Sequence, residues 1–491
     1  MHLSFSNSKM NSTKSYIRSH IHKQNKIQLD EKLYTKFRFY LDNKSDQTFN
    51  GVMADSTDKQ YLQSLIQNMI KSPQMKGNIT DNKIQDDSYF CRNRNQSTFK
   101  IFRYFIQSLV YYFLPFLLAK KKIDFIFLVH IRYEEDCNTH APYISFLKKL
   151  LPTKTYLYLF SLLPPLLLDE FTHANGSKGL LISSTHLPQP LINGKKTRTK
   201  EINRSLKFIS NACVPQHEKI VISLGAWWPI ISLHGQLFEK VLPNDHPYII
   251  TTGHTATLYS IVKTAEDLIE KSLLPREQIN IAIMGCGNIG FFAANTLLSK
   301  GVQVTLIDIN EIKLLKLKKQ LQESFPDSLI HHHTFSHESV QPILNTCHFG
   351  ICATSNTKEI IKKEDIPDFF VFIDDSRPEA IPRFDYGDNK YTLEGGLINV
   401  QGFQSSFNFG FGNDSNLLGC LSEGYILALD QQLNKTLSPT KSVASVDLYN
   451  SMARFCESQN IRPGDYKMGE LTLQETTIIQ AVRCRHELIN R

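Results

Sequence analysis

Hydrophobic and polar positions divide the chain into stretches of different texture. Residues 1–97 are rich in Lys, Asn, Ser, Gln and Asp, with short amphipathic patches such as KLYTKFRFYL and QYLQSLIQNMI, and read as a variable polar extension. At Phe99 the text changes to FKIFRYFIQSLVYYFLPFLLAKKK. Its apolar core, 104–119, is shorter than the roughly 20 residues a spanning helix needs and ends at Lys120, Lys121 and Lys122. Two readings stay open for it: a helix lying in a membrane interface with its lysines toward anionic lipid, or a buried helix covering an apolar groove. From 123 to 250, apolar runs such as IDFIFLVHI, GLLISST and EKIVISLGAWWPI alternate with helix-like stretches, as in an α/β layer. TTGHTATLYSIVKTAEDLIEKSLL (251–274) is a glycine-bearing loop feeding a long helix, periodic through Leu258, Ile261, Val262, Ala265 and Leu268, that suits a connection between domains.

The stretch 279–310, INIAIMGCGNIGFFAANTLLSKGVQVTLIDIN, is the most informative. A buried strand stops at Gly285-Cys286-Gly287-Asn288-Ile289-Gly290, a helix follows and closes near Gly301, and a second strand ends in Asp308. Strand, glycine turn, helix, strand and acid in this order make a dinucleotide-binding fingerprint. Gly285 permits the turn, Gly287 lets the backbone approach a pyrophosphate, and Gly290 lets the helix pack close to the strand. The helix start near Asn288 and Ile289 offers N–H groups to the phosphates. Asp308 would accept bonds from the adenosine ribose and repel a 2′-phosphate, which favours NAD, with NADP as the alternative. Cys286 reads as a small filler.

The alternation continues through SLIHHHTF, HFGICATSN and FFVFIDDSRP to about residue 385. Ligands bind beyond the carboxyl ends of parallel strands, where Thr354, Ser355 and Asn356 and then Asp374, Asp375 and Ser376 fall. Asp375 and Arg377 would pair with each other or touch substrate. After 391 come a glycine- and phenylalanine-rich segment, the helix LLGCLSEGYILALDQQL and a last helical region. The expected architecture is α/β. It comprises an extension over 1–123, a substrate domain over 124–271, a doubly wound Rossmann domain over 272–388, and 389–491 completing the substrate domain.

Composition narrows the classes. A net charge of +8 over 491 residues is modest, its Lys and Arg are dispersed, and no nucleic-acid motif appears, so no nucleic-acid partner is expected. Nine cysteines without a paired C-x-x-C pattern, behind a polar N-terminus with no secretory leader, lead us to expect a cytoplasmic protein, associated with a membrane if 99–122 lies on one. His331, His332 and His333, with His337, cannot converge on one ion from a strand, so no metal site is expected. Cys347 and Cys352, with His348 between them, read as core.

Several strings together resemble one family: LVHIRYEED, LLPPLLLDEF, LGAWWPI, TTGHTATLY, GCGNIG, IDDSRP, GGL (395–397) and CLSEGYILAL fall in the order seen in bacterial long-chain acyl-(acyl-carrier-protein) reductases and their relatives. The similarity covers roughly 124–480. It implies a nicotinamide-dependent reductase of fatty acyl thioesters, a substrate between the domains, and acyl carrier protein as a partner. Gly225, Trp227, Trp228, Thr252, Gly253, Gly395 and Gly396 would then form the substrate loops. Three departures from the family stand out. Its nucleophilic cysteine is replaced by Gln401, which cannot form a thioester; Cys420 matches a second family cysteine in an apolar helix. Trp227 and Trp228 bring two indoles where the family has a small hydroxyl residue, which would reshape a pocket. His254 stands in place of an Asn, as a proton donor or as a hydrogen-bonded loop residue.

The function expected is therefore an NAD(P)-dependent oxidoreductase acting on a carbonyl or acyl substrate. His254 or Tyr259 is the candidate proton relay, and Glu423 either faces the cofactor domain or caps a polar network. Two alternatives stand beside it: a small-molecule dehydrogenase of the shikimate or amino-acid type, and an inactive nucleotide-binding protein that has lost its acyl-accepting cysteine.

Overall fold

The computed structural model describes residues 96–354, 359–376, 379–382, 389–411, 415–433, 435–441 and 444–491. Residues 189–197 belong to a separate unit; the other described residues form one compact body. It opens with helix α1 (Thr98–Phe113), where the sequence pattern placed an apolar core at 104–119. Pro115, which has no N–H to offer and a fixed φ, starts a single 3-10 turn (Pro115–Leu117) and ends the helix early. No helix among the described residues is long and apolar enough to cross a membrane.

A first sheet is built from β1 (Phe125–His130), β2 (Leu166–His173), β3 (Lys178–Ser184), β4 (Ile220–Leu224) and β5 (Tyr248–Thr251). β1, β3, β4 and β5 run parallel, and β2 lies antiparallel on β3. All six residues of β1 are buried, as a central strand covered on both faces requires.

Helix α2 (His254–Ser272) then leads to a second sheet: β6 (Asn280–Met284), α3 (Asn288–Leu298), β7 (Gln303–Asp308), α4 (Glu311–Ser324), β8 (Ile330–Thr334), β9 (Phe349–Cys352), β10 (Val371–Asp374) and β11 (Tyr391–Glu394). Its strands are all parallel in the order β8-β7-β6-β9-β10-β11. Counted within the sheet this is 3-2-1-4-5-6, the Rossmann order. The sixth strand lies past residue 388, where the sequence pattern ended the domain. From there the chain returns to the first sheet, adding β12 (Phe403–Gln404) antiparallel to β2, so that sheet reads β12-β2-β3-β1-β4-β5. Helices α5 (Gly419–Leu433), α6 (Val446–Ser458) and α7 (Glu475–Ile489) follow.

Helix α2 is the spine. Fourteen of its 19 residues are buried, and α3, α5, α6 and α7 all pack on it, so its first amides have little access to water. The residue at its N-cap, Gly253, has φ +78° and no side chain to cap with; a Cβ there would overlap the Cα of Cys420. The cap comes instead from α5. Glu423, fully buried, accepts the N–H of Ala256 at 2.9 Å, the hydroxyl of Thr251, and the N–H of Thr440 at 3.4 Å. The carboxylate also sits at the positive end of the α2 dipole.

Removing it leaves two buried donors, the Ala256 N–H and the Thr251 hydroxyl, unanswered, while the Thr440 N–H keeps Thr251 Oγ1 at 3.0 Å. Glu423→Ala is expected to cost about 2–4 kcal/mol of unfolding free energy, read as a lower urea midpoint, while Glu423→Gln retains part of it.

Candidate functional site

The glycine turn sits between the carboxyl end of β6 and the start of α3. Gly285 has φ +83°, and a Cβ there would press on the carbonyl of Ala353 at 2.8 Å. A Cβ on Gly290 would overlap the Gly285 carbonyl, so the helix closes onto the turn only with glycine there. Gly287 differs: a Cβ would meet nothing within 4 Å, which leaves an open cradle above the helix N-terminus. Beside it both amide atoms of Asn288 are buried without a hydrogen-bond partner among the described residues. An open backbone cradle and an unanswered amide at a helix start fit a dinucleotide pyrophosphate. Ile289 is half-buried and packs against the core.

Asp308 ends β7 with most of its side chain covered. One carboxylate oxygen accepts the N–H of Cys286 at 2.9 Å and faces Lys313 Nζ at 3.3 Å; the other accepts the N–H of Asn310 at 3.1 Å. It therefore braces the glycine turn itself. The Cys286 thiol is buried, and burial, followed by the Asp308 charge, pushes its pKa far up, so it is inert filler.

At the carboxyl ends of β9, β10 and β11 the chain is packed to backbone contact. The N–H of Thr354 donates to Ser376 Oγ at 3.1 Å, and the Asp375 N–H to the Cys352 carbonyl at 2.8 Å. Asp374, buried, accepts the N–H groups of Ser376 and Ala380, both at 2.9 Å, and so holds the turn that presents Asp375. A Cβ on Gly395 would meet the Asp375 N at 2.7 Å; one on Gly396 would overlap the Asp375 carboxylate and lie 3.3 Å from Thr257. Gly419 touches Thr257, and Gly253 touches Cys420. Asp375, Gly396, Thr257, Gly253 and Cys420 thus converge, with His254 one turn before Thr257 on α2. Ser355, Asn356 and Arg377 lie outside the described residues.

The remaining candidates have other placements. The His254 ring faces that of His234 edge-on, centroids 5.8 Å apart. Tyr259 is buried and its hydroxyl donates to the Ile461 carbonyl at 3.0 Å; burial first raises its pKa, so its proton is committed to the core. Both oxygens of Glu423 are spent on the cap described above. Burial, then the Asp375 carboxylate, push the Cys420 thiol up to about 12, which keeps it protonated near neutrality. Thr252 bonds through its N–H to Thr440 at 3.1 Å, tying the loop down. Gly225 lies on the Phe127 ring. Trp228 corrects the expectation of a reshaped pocket: it is fully buried and donates from Nε1 to the Val129 carbonyl at 3.0 Å, while Trp227 is half-buried. Gln401 sits on an exposed turn whose carbonyl accepts from His173 Nε2 at 2.7 Å. That turn adjoins β12 and the end of antiparallel β2, beside the start of β3, and so lies at the opposite end of the first sheet from Gly225 and Thr252. The position that the resemblance gives to a nucleophile is thereby remote from the convergence.

His130 was missed as a candidate. It ends the apolar run FIFLVH, a polar residue at the carboxyl end of a buried strand, which is the one signal the sequence offers. Its Nδ1–H donates to the Ile131 carbonyl at 2.7 Å and its Nε2 accepts the N–H of Trp227 at 3.0 Å, so it positions the loop from 225 to 228. Burial, the largest cause, lowers its pKa to about 4.

Residues 280–363 match the model of the 3-hydroxyacyl-CoA dehydrogenase NAD-binding domain. With the strand order and the glycine turn, this makes the second sheet a Rossmann-like NAD-binding domain in a mixed α/β protein. No curated protein sequence matches it. Solved structures similar to it include a dipicolinate synthase from Bacillus subtilis (14% identity, covering 37% of this chain, 55% of that one, TM-score 0.23). L-tryptophan dehydrogenase from Nostoc punctiforme is similar at 9% identity over 74% of this chain, 87% of that one, TM-score 0.31. The NAD complex of quinate dehydrogenase from Corynebacterium glutamicum is similar at 10% identity over 48% and 71%, TM-score 0.25. The match spans about half the length of the dipicolinate synthase. Likeness of this degree carries no inference about substrate.

The state of His130 sets a pH dependence. Unfolded, its imidazole takes a proton below about 6.5; folded, it stays neutral down to about 4. The unfolded chain binds more protons between those values, so stability is full above pH 6.5 and falls as pH drops toward 4, by at most about 3 kcal/mol from this group. Urea unfolding from pH 7 to 4.5 is expected to show a shallower decline for His130→Gln than for the parent, from a lower starting point at pH 7.

Proposed function

We propose that the chain is an NAD(P)-dependent oxidoreductase acting on a carbonyl or alcohol beside Asp375, Gly396 and Cys420, with His254 holding the proton that the substrate oxygen gains or loses. The observation that carries the reading is the convergence at the carboxyl ends of β9, β10 and β11, in the same sheet whose β6 ends in the Gly287 cradle. Gly287 and Asn288 would hold the pyrophosphate and Asp308 the adenosine ribose, and the nicotinamide supplies or accepts hydride. An imidazole titrates close to neutrality and suits proton transfer there.

Covalent thioester chemistry, which the resemblance to acyl-(acyl-carrier-protein) reductases implies, has less support. Gln401 is remote and has no thiol, and Cys420 is held protonated between an apolar helix and a carboxylate. A non-covalent reduction needs neither. Lys313 bears on the coenzyme. It neutralises Asp308 from 3.3 Å, so the carboxylate would repel a 2′-phosphate less than the sequence alone suggests, and an ammonium beside that carboxylate would favour the phosphate.

Titration calorimetry with NADH and NADPH tests the premise. Both are expected to bind; Asn288→Leu weakens each about tenfold without loss of stability, and Lys313→Ala weakens NADPH about fivefold with little change for NADH. Heat from neither coenzyme overturns the reading.

With a panel of aldehydes, ketones, hydroxy acids and acyl thioesters, His254→Ala is expected to lower turnover by about 10²–10⁴ at unchanged coenzyme affinity. Turnover confined to hydroxy or amino acids would favour the shikimate or amino-acid type. Aldehyde release from a thioester, with an acyl group trapped on Cys420, would replace the carbonyl reading by the acyl one. Coenzyme binding without any turnover would leave a nucleotide-binding protein.

A further inference from the structure

Of the 23 large apolar side chains exposed among the described residues, 12 lie between 99 and 162, so the exposed grease is concentrated rather than scattered. Two elements carry it. On α1, Phe99, Phe102, Ile106 and Phe113 recur at helical spacing and form one solvent-facing stripe, with Phe99 77% exposed. The opposite stripe, Tyr104, Ser108 and Tyr111, is buried. Phe116, 80% exposed, continues the outer stripe past the helix end. The second element is the segment carrying Phe146, Leu150, Tyr158, Leu159 and Leu162, in which Leu150 is 71% exposed.

The two lie side by side. The Tyr143 ring packs on Phe105 with centroids 4.1 Å apart and reaches Phe102 at 6.4 Å. At the other end Arg204 donates to the carbonyls of Ser161 and Leu162, at 3.1 and 3.3 Å, with its guanidinium 6.0 Å from the Tyr112 ring. The platform is also fixed to the body: Gln96 donates to the Leu168 carbonyl at 2.9 Å, and Ser108 accepts the N–H of Leu167 at 2.8 Å. An apolar helix bolted down by one face and left greasy on the other is built to meet something.

Charge identifies the occupant. Residues 98–123 and 137–168 contain no Asp or Glu. Within them Arg103, Lys120, Lys122, Lys149 and Lys154 are exposed. Aromatic and aliphatic side chains interleaved with exposed cations, on elements too short to span, complement the headgroup layer of an anionic bilayer. We infer that α1 and the 146–162 segment together form one face that docks this protein on an anionic lipid surface. The inference is independent of the coenzyme reading.

Flotation of the full chain with vesicles tests it. Binding is expected to equimolar phosphatidylcholine and phosphatidylglycerol vesicles, with far less to phosphatidylcholine alone. Phe99→Ser combined with Phe116→Ser and Leu150→Ser, and separately Lys120→Glu with Lys122→Glu and Lys149→Glu, should each weaken binding at least ~tenfold. Ile312→Ser, an exposed apolar residue outside the face, serves as the control and should change nothing. Every substituted side chain is exposed, so unchanged circular dichroism is expected throughout. Binding to neither vesicle, or equally to both, overturns the inference. So does light scattering that shows a dimer broken by the Phe99, Phe116 and Leu150 substitutions, since the face would then be an interface between copies of this chain.

Discussion

The structure depends on closing the buried end of α2. A helix enclosed by four others must find partners for its first amides inside the protein, and its own N-cap position cannot supply one, because the backbone of Cys420 fills the space a side chain would need at Gly253. The carboxylate of Glu423 resolves this from the facing helix, one turn on from Cys420, so contact and cap arise from the same face of α5. Thr251 and Thr440 join the same carboxylate, which binds the end of β5 and the segment following α5 into one node. Three residues along α2, Thr257 receives Gly396 and Gly419, so the node also registers the second sheet against the first. The geometry of the candidate site is thus a by-product of capping one helix.

The nucleotide half obeys a different economy. Asp308 is engaged in holding the turn that it was expected to serve only through a bound ribose: it accepts the Cys286 amide and so fixes the loop before any coenzyme arrives. Among the described residues, the cradle at Gly287 is open and both amide atoms of Asn288 lack a hydrogen-bond partner. Preorganised turn and unanswered donors together are what a pyrophosphate site requires.

Much of this was legible in the text. The β6-turn-α3-β7 unit follows from the spacing of Gly285, Gly287, Gly290 and Asp308, since each glycine meets a local demand that neighbours in sequence create. The sequence reading set the loops at Gly225, Thr252 and Gly395 against one substrate; in the structure Gly253 touches Cys420 and Gly395 touches Asp375, while Thr252 is tied to Thr440 and Gly225 lies on the Phe127 ring. What the text hid depends on partners far along the chain. Trp228 looked like a pocket wall and is core, because its indole N–H reaches Val129 across 99 residues. Tyr259 looked like a proton relay and is spent on Ile461; Glu423 was read as facing the cofactor domain or capping a polar network, but that its partner is the Ala256 amide, 167 residues away, could not be read from the text. Gln401 was aligned by resemblance with a nucleophile, yet the turn at Gly402 carries it to the sheet edge beside His173. The apolar character of α1 was plain, but the acid-free second segment beside it emerges only from the packing of Tyr143.

The return of the chain to the first sheet has a consequence for biosynthesis. β12 pairs with β2 across some 230 positions, and Asp169 on β2 accepts the amides of Ser406 and Phe407, at 2.7 and 2.9 Å, to latch it there. On a ribosome, β2 emerges long before its partner, an interval on the order of tens of seconds at ordinary elongation rates. For that time the nascent sheet has an open margin with unpaired peptide groups, the kind of surface that invites strand exchange and chaperone capture. Completion of the first sheet must therefore wait for the dinucleotide half to be translated, which makes the two halves successive in synthesis but simultaneous in final closure.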